Sequence, residues 1–252
     1  MTTIRNTTRR LALAFATAAL LPAVGGAAQP SPPELPFAPG ESFTYRGSTR
    51  LGRIGTGTMT IEGTEAVRGR DTWVLRFDFR GRVGPAGVED HTRSWLDPRA
   101  LASMRFTKRE RSPIGSRTQD VQMFPDTRRW RGADGGGEGA MPTDAPLDEL
   151  SFIYYLRTLP LKNGDVYRLD RHYEAGRNPV VVRVIGRGPI QVPAGRYQTI
   201  EVEMRVKDAR YRGEGVIQFH FTDDARRIPV RIESQVPVAG RMVLSLQGQG
   251  GA

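Results

Sequence analysis

The sequence predicts an all-β, mainly antiparallel protein: a curved sheet or half-open β-barrel with one buried apolar helix packed against it. Three observations predict it. Apolar residues recur at every second position in segment after segment, the period of a strand with one wetted face. The 29 glycines and 18 prolines punctuate the chain too often for a helical bundle. One segment breaks the alternation and is apolar almost all the way round at helical spacing, the pattern of a helix enclosed by other elements.

The chain begins with Arg5, Arg9 and Arg10 and no acid, followed by the eleven-residue apolar run Leu11 to Leu21. That run is too short to cross a bilayer as a helix. Pro22 ends it, and Gly26 and Ala28 supply the small residues that signal peptidase requires, so residues 1–28 are expected to be a signal peptide cleaved after Ala28. Arg9 and Arg10 are a pair of the kind a twin-arginine exporter reads, though ordinary signals carry such pairs as well. Residues 29–36 are a Pro-rich linker. The expected compartment is the periplasm of a Gram-negative bacterium.

The 252 residues contain no cysteine. Disulfides, thiolate metal sites, cysteine nucleophiles and a lipid-modified N-terminal cysteine are therefore excluded. With 38% hydrophobic and 25% charged residues the chain is neither disordered nor an integral membrane protein. Removing the signal lowers the formal charge from +10 to +7, and only Lys108, Lys162 and Lys207 among the basic residues are lysine. Such a protein meets anionic lipid headgroups and other envelope acids, not nucleic acid, and is at most peripheral to the membrane.

The expected single β-rich domain spans residues 37–247. Its N-terminal meander, 37–131, holds strands at Phe43–Ser48, Thr56–Ile61, Thr72–Arg80, Glu89–Leu96, Met104–Glu110 and Thr118–Phe124. The third is the clearest: Trp73, Leu75, Phe77 and Phe79 share one face, and Arg76, Asp78 and Arg80 the other. Residues 131–142, rich in glycine, read as a flexible connector. The helix is expected over 146–159, with Pro146 in its first turn, Asp148 and Glu149 at the positive end of its dipole, Arg157 at the negative end, and Pro160 as its stop. C-terminal strands fill 165–247: Val166–Tyr173, Val180–Ile185, Thr199–Lys207, Val216–Thr222, Ile228–Ser234 and Met242–Leu246.

The search for catalytic chemistry yields little. There is no G-x-S-x-G elbow, no H-E-x-x-H and no phosphate-binding loop. His220, Asp223 and Asp224 form the best cluster for a cation. The simpler reading is a hairpin turn whose carboxylates cap backbone amides and pair with Arg226 and Arg227. No cofactor is expected, and a non-catalytic protein is favoured. The aromatics Trp73, Phe152, Tyr154, Tyr155 and Phe219 are candidates to line a cavity between helix and sheet that accepts a lipid or other amphipathic small molecule. Each is more simply a core residue. Two further readings stand beside this one: a structural or envelope-protein-binding module with a closed core, and a glycan hydrolase with two facing carboxylates.

Several segments together resemble a bacterial exported family called domain of unknown function 3108. Pro36-Phe37-Ala38-Pro39-Gly40-Glu41 with Tyr45 is similar to its opening strand pair, with Phe43 where that pattern has leucine. Pro146 to Arg157 resembles its "L-D-x-L-S-x-x-Y-x-L-R" helix, Pro193-Ala194-Gly195-Arg196-Tyr197 its "P-A-G" strand entry, and Asp224-Ala225-Arg226-Arg227-Ile228-Pro229-Val230 its "D-x-R-R-x-P-V" hairpin. The resemblance implies a curved, incompletely closed antiparallel barrel like those of LolA-like lipoprotein carriers. It implies no catalytic residue.

Overall fold

The computed structural model describes residues 34–112, 115–208, 213–236 and 240–250. The expected cleavage site at Ala28 and residues 29–33 of the linker lie outside them.

Among the described residues, fourteen antiparallel strands form one sheet. The first meander is β1 (Ser42–Thr49), β2 (Gly52–Val67), β3 (Arg70–Val83), β4 (Ala86–Asp97), β5 (Ala102–Ser112), β6 (Gly115–Phe124), β7 (Arg129–Gly132) and β8 (Glu138–Ala140). The helix α1 (Glu149–Thr158) follows, and then the second meander: β9 (Val166–Leu169), β10 (Val180–Val192), β11 (Gly195–Asp208), β12 (Gly213–Thr222), β13 (Pro229–Val236) and β14 (Gly240–Gly250). Within each meander every strand pairs with its sequence neighbour. The two are joined by β1 against β14, with Arg46 opposite Ser245. The sheet does not close, and its free edges are the short strands β8 and β9.

Alternation produces the core. In β3, Leu75 and Phe79 are buried while Arg80 between hairpins is exposed; in β12, Phe219 and Phe221 are buried. Side chains from β1 to β4, from β10 to β14 and from α1 belong to one apolar cluster. A flat sheet would hold β4 and β12 about 29 Å apart, at about 4.8 Å per strand. The helix between them is only about 15 Å long at 1.5 Å per residue. Sharing one core therefore requires the sheet to curl around the helix, and glycine permits the tightest part of the curl. A Cβ on Gly55 would stand 2.2 Å from the Arg80 carbonyl oxygen, and one on Gly81 2.2 Å from that of Ile54. These two residues face each other across β2 and β3, so neither strand could approach the other so closely with any side chain there.

Three expectations need correction. Residues 131–142 are not merely a connector, because Arg131 and Gly132 end β7 and residues 138–140 form β8. The glycines serve the Trp130 indole: a Cβ on Gly139 would lie 2.7 Å from its Nε1. The helix begins at Glu149, leaving Pro146 outside, because Asp148 caps it by accepting from the Leu150 and Ser151 amides. Strand β9 ends at Leu169, since the next residues turn away to pair with the helix approach: the Leu147 amide donates to the Arg171 carbonyl at 2.6 Å, and the Tyr173 amide to the Leu147 carbonyl at 3.1 Å. Tyr173 then joins Phe106, Val121, Met123 and Met141 in a second small core, with Trp130 edge-on at 5.6 Å.

Candidate functional site

The helix is held at both ends by buried polar groups, and these decide what its aromatic residues can do. At its start, the buried Asp148 carboxylate accepts from the Leu150 amide (2.9 Å), the Ser151 amide (3.0 Å) and the Ser94 hydroxyl (2.6 Å). Ser151 returns a bond from its hydroxyl side by accepting from the Asp148 amide at 2.8 Å, which completes a capping box. Ser103 donates to the Ser151 hydroxyl at 2.7 Å. Ser94 and Ser103 lie in β4 and β5, so the cap also docks the helix on the first meander.

Glu149, one residue on, has the opposite surroundings. Its carboxylate meets Lys108 at 3.1 Å, Arg117 at 3.4 Å and Arg177 at 3.3 Å. Burial pushes this carboxyl up, but the three cations together outweigh that and hold it far below the ordinary carboxylate range. For Asp148 burial dominates instead, and its hydrogen bonds only partly offset the rise. Adjacent carboxyls with diverging affinities for protons suggest acid–base work. Here the divergence comes from burial of Asp148 and from the three cations at Glu149, and the Asp148 oxygens are engaged in capping by helix amides and a serine hydroxyl. It has a measurable consequence for stability. The stabilisation due to Glu149 is complete above the ordinary glutamate value of about 4.5 and is lost as pH falls through the depressed folded value. Glu149→Gln is expected to flatten the acid limb of a urea-midpoint profile against pH. Asp148→Asn should act with the opposite sign, removing a decline in stability that sets in as pH rises above about 3.8.

At the far end stands Arg157, read from sequence as a favourable charge for the helix dipole. The structure corrects that reading: its side chain is fully buried. It donates to both Glu41 oxygens, at 2.6 and 2.8 Å, and to the carbonyls of Pro36 and Arg226, each at 2.9 Å. Its guanidinium carbon lies 5.1 Å from the centre of the Phe37 ring and 5.5 Å from that of Tyr154. Beside it the Tyr45 hydroxyl donates to the Pro229 carbonyl at 2.9 Å. Glu41 precedes β1 and is fixed there by its carbonyl, which accepts from the Ile61 amide. Arg226 lies in the β12–β13 turn and Pro229 opens β13. One arginine thus ties the chain's entry, its helix and its second meander together.

The five aromatic candidates all reach the main core, but not one common open wall. Phe152, Tyr154 and Phe219 are at most 2% exposed, whereas Trp73 and Tyr155 are half-buried against them. Phe37 is edge-on to both Trp73 (6.0 Å) and Tyr154 (5.1 Å). Phe152 turns the other way and stacks on His172 at 6.2 Å, Tyr155 carries Arg171 over its ring at 4.2 Å, and Phe219 stacks on Phe221 at 5.5 Å. The Tyr154 hydroxyl is buried without a hydrogen-bond partner among the described residues. A shallow cavity of about 220 Å³ lies elsewhere, beside Trp130, between Phe124, Thr127, Arg129, Arg131 and Glu138. The metal candidates are engaged in a turn. Asp224 accepts from the Thr222 hydroxyl and the Arg226 and Arg227 amides, while Asp223 pairs with Arg187 at 3.0 Å and not with the neighbouring arginines. His220 sits in β12 opposite Glu201 and Arg231.

Sequence reasoning missed Glu41 and Arg157 as partners. The available signal was their position: each ends one of the segments that carry the family resemblance. The family model of the protein of unknown function DUF3108 matches residues 43–247. This chain belongs to the DUF3108 family. In this DUF3108 chain three of the four resemblance segments meet at the Arg157 cluster, so what they encode there is a buried clasp.

No curated protein matches the DUF3108 chain. Among solved structures, it is similar to a β-barrel-like protein of domain of unknown function DUF1849 from Brucella abortus. The TM-score is 0.54 at 10% identity, over 84% of this chain and 98% of that one. At that identity the likeness shows the fold alone. A protein with a YmcC-like fold from Bacteroides fragilis matches at a TM-score of 0.38 and 13% identity, over 85% of this chain and 97% of that one.

Proposed function

We propose that this DUF3108 protein is an exported, non-catalytic envelope protein of the Gram-negative periplasm, with a filled interior, that works through its surface. One observation carries the reading. The residues best placed to line a ligand cavity, Phe152 and Tyr154 on a helix clasped at both ends and Phe219 on β12, are packed into the core. Native mass spectrometry of the exported protein, purified gently from a bacterial periplasm, tests it. The expected spectrum is a single protein mass that stays unchanged after incubation with envelope lipids. Retained masses of an amphiphile would overturn it.

A second reading is favoured by the Tyr154 hydroxyl. A buried hydroxyl without a partner costs about 1–3 kcal/mol, and an amphipathic ligand lodged among Trp73, Tyr154 and Tyr155 could satisfy it with a polar headgroup. The two readings diverge at Tyr154→Phe. A filled core predicts unchanged or higher stability and no change in bound mass, because only an unsatisfied group is removed. Ligand binding predicts loss of the amphiphile adduct from a protein that is otherwise folded.

A further inference from the structure

The antiparallel order places the turns of three successive hairpins, β1–β2, β3–β4 and β5–β6, on one edge of the sheet. The opposite edge holds Glu41, the cap partners Ser94 and Ser103, and hence the helix. Adjacent hairpins stand about 10 Å apart, two strand spacings.

What these turns carry is unusual in its placement. The first reads Arg50-Leu51-Gly52-Arg53 and the second Arg82-Val83-Gly84-Pro85, and Arg111 closes on the third. Arg50, Leu51, Arg53, Arg82, Pro85 and Arg111 are all exposed. Leu51 is 74% exposed, more than any other large hydrophobic residue among those described. Directly behind the turns the register aligns Arg46, Thr56, Arg80, Glu89 and Arg111 in one row on the outer face. Glu89 is the one carboxylate in this group. The arginine side-chain bonds described here go to neutral oxygens: Arg53 to the Thr56 hydroxyl at 3.2 Å and Arg82 to the Pro85 carbonyl at 2.8 Å. Among the described residues, the opposite edge mixes paired and unpaired arginines and lacks an exposed apolar tip like Leu51. There Arg70 lies between Asp97 (3.5 Å) and Asp126 (2.8 Å), whereas Arg68 donates to the neutral Gln122 and Met104 oxygens, Arg227 to the Pro160 carbonyl, and Arg99 is exposed. A general preference for arginine raises the charge of the whole chain. It does not by itself place the most exposed large apolar side chain among arginines at one set of hairpin tips.

We propose that this hairpin edge docks the protein on an anionic phospholipid surface, with Leu51 entering the headgroup layer and Arg50, Arg53 and Arg82 pairing with lipid phosphates. The chemistry is complementary on both counts. A guanidinium binds phosphate oxygens bidentately, and an exposed apolar side chain between basic residues gains by entering the interface. Attraction to a charged surface is screened within about 8–10 Å, so Arg50, Arg53 and Arg82 at the tips dominate over Glu89, which lies in the row behind them opposite Arg111. The inference concerns only the outer edge and goes beyond the reading given above: it holds whether the interior is filled or takes a ligand.

The test is co-sedimentation of the exported protein with phosphatidylcholine vesicles, with and without one third phosphatidylglycerol. Binding is expected to the anionic vesicles, to fall steeply with added salt, and to be weak on neutral vesicles. The double variant Arg50→Glu, Arg82→Glu should lower partitioning at least about tenfold, from roughly fivefold for each arginine near an anionic surface. Leu51→Glu should lower it as well. Arg99→Glu, an exposed change in the β4–β5 turn at the opposite edge, should leave it intact. Thermal melts of all the variants check that each remains folded. Equal binding to both vesicle types, no binding to either, or an equal loss on Arg99→Glu would overturn the proposal.

Discussion

Arg157→Ala is expected to destabilise the protein by about 3–5 kcal/mol, the usual cost of removing one partner from a buried ion pair. The substitution leaves the Glu41 carboxylate buried opposite nothing, and it strands the carbonyls of Pro36 and Arg226, which lose their donor. Half of a mesophilic domain's stability could disappear in this one change. The double variant Glu41→Leu, Arg157→Leu separates charge from packing, since no unpaired ion remains and apolar volume is kept. It should recover a substantial part of the loss. Urea unfolding of the three proteins checks this. A loss below about 1 kcal/mol for Arg157→Ala would mean that the pair is hydrated and that the clasp does not hold the helix.

Phe219→Ala should cost about 3–5 kcal/mol, as ring deletions from filled cores do. Phe219 is fully buried in β12, stacked on Phe221, on a strand with neighbours on both sides. Removing its ring opens a void that the surrounding strands cannot close without breaking their ladders. The result bears on function. If Phe219 lined a ligand cavity, the free protein would already face empty space there, and the cost would drop toward the transfer value alone, about 1.5–3 kcal/mol. Denaturant midpoints for Phe219→Ala, with and without envelope lipids, distinguish these cases.

Much of the fold was legible because strands report themselves. A side chain in a strand points inward or outward by parity, so Leu75 to Arg80 and Val216 to Phe221 show their inner faces without any partner, whereas Val74, buried against that parity, is a tertiary fact. The helix was legible for the same local reason, its apolar residues being spread round the full turn. Strands β7 and β8 were not. Their glycines look like a connector until Trp130 is seen to need the space above Gly139, and that contact is a tertiary fact.

The candidate site was legible in its residue types but not in its pairing. Tyr154 and Phe152, candidates from the sequence to line a cavity, are buried in the main core. Arg157 was assigned to a helix dipole because an isolated helix offers nothing else for a cation at its end. Its real partner is Glu41, 116 residues away, and no local pattern couples positions so far apart. The Asp223–Asp224 turn shows the same limit at shorter range. The backbone caps follow from spacing along the chain, whereas the choice of Arg187 over Arg226 or Arg227 depends on which strand lies alongside.

The sequence by itself determined the antiparallel architecture and the enclosed helix, because parity and helical spacing are properties of a few consecutive residues. The tertiary structure alone decided that β1 pairs with β14, that Arg157 closes on Glu41, and that Leu51 stands beside the Arg82 hairpin at one edge of the sheet. Each of these joins residues far apart in the chain. Their energy comes from burial and charge pairing that exist only once the sheet has curled around the helix.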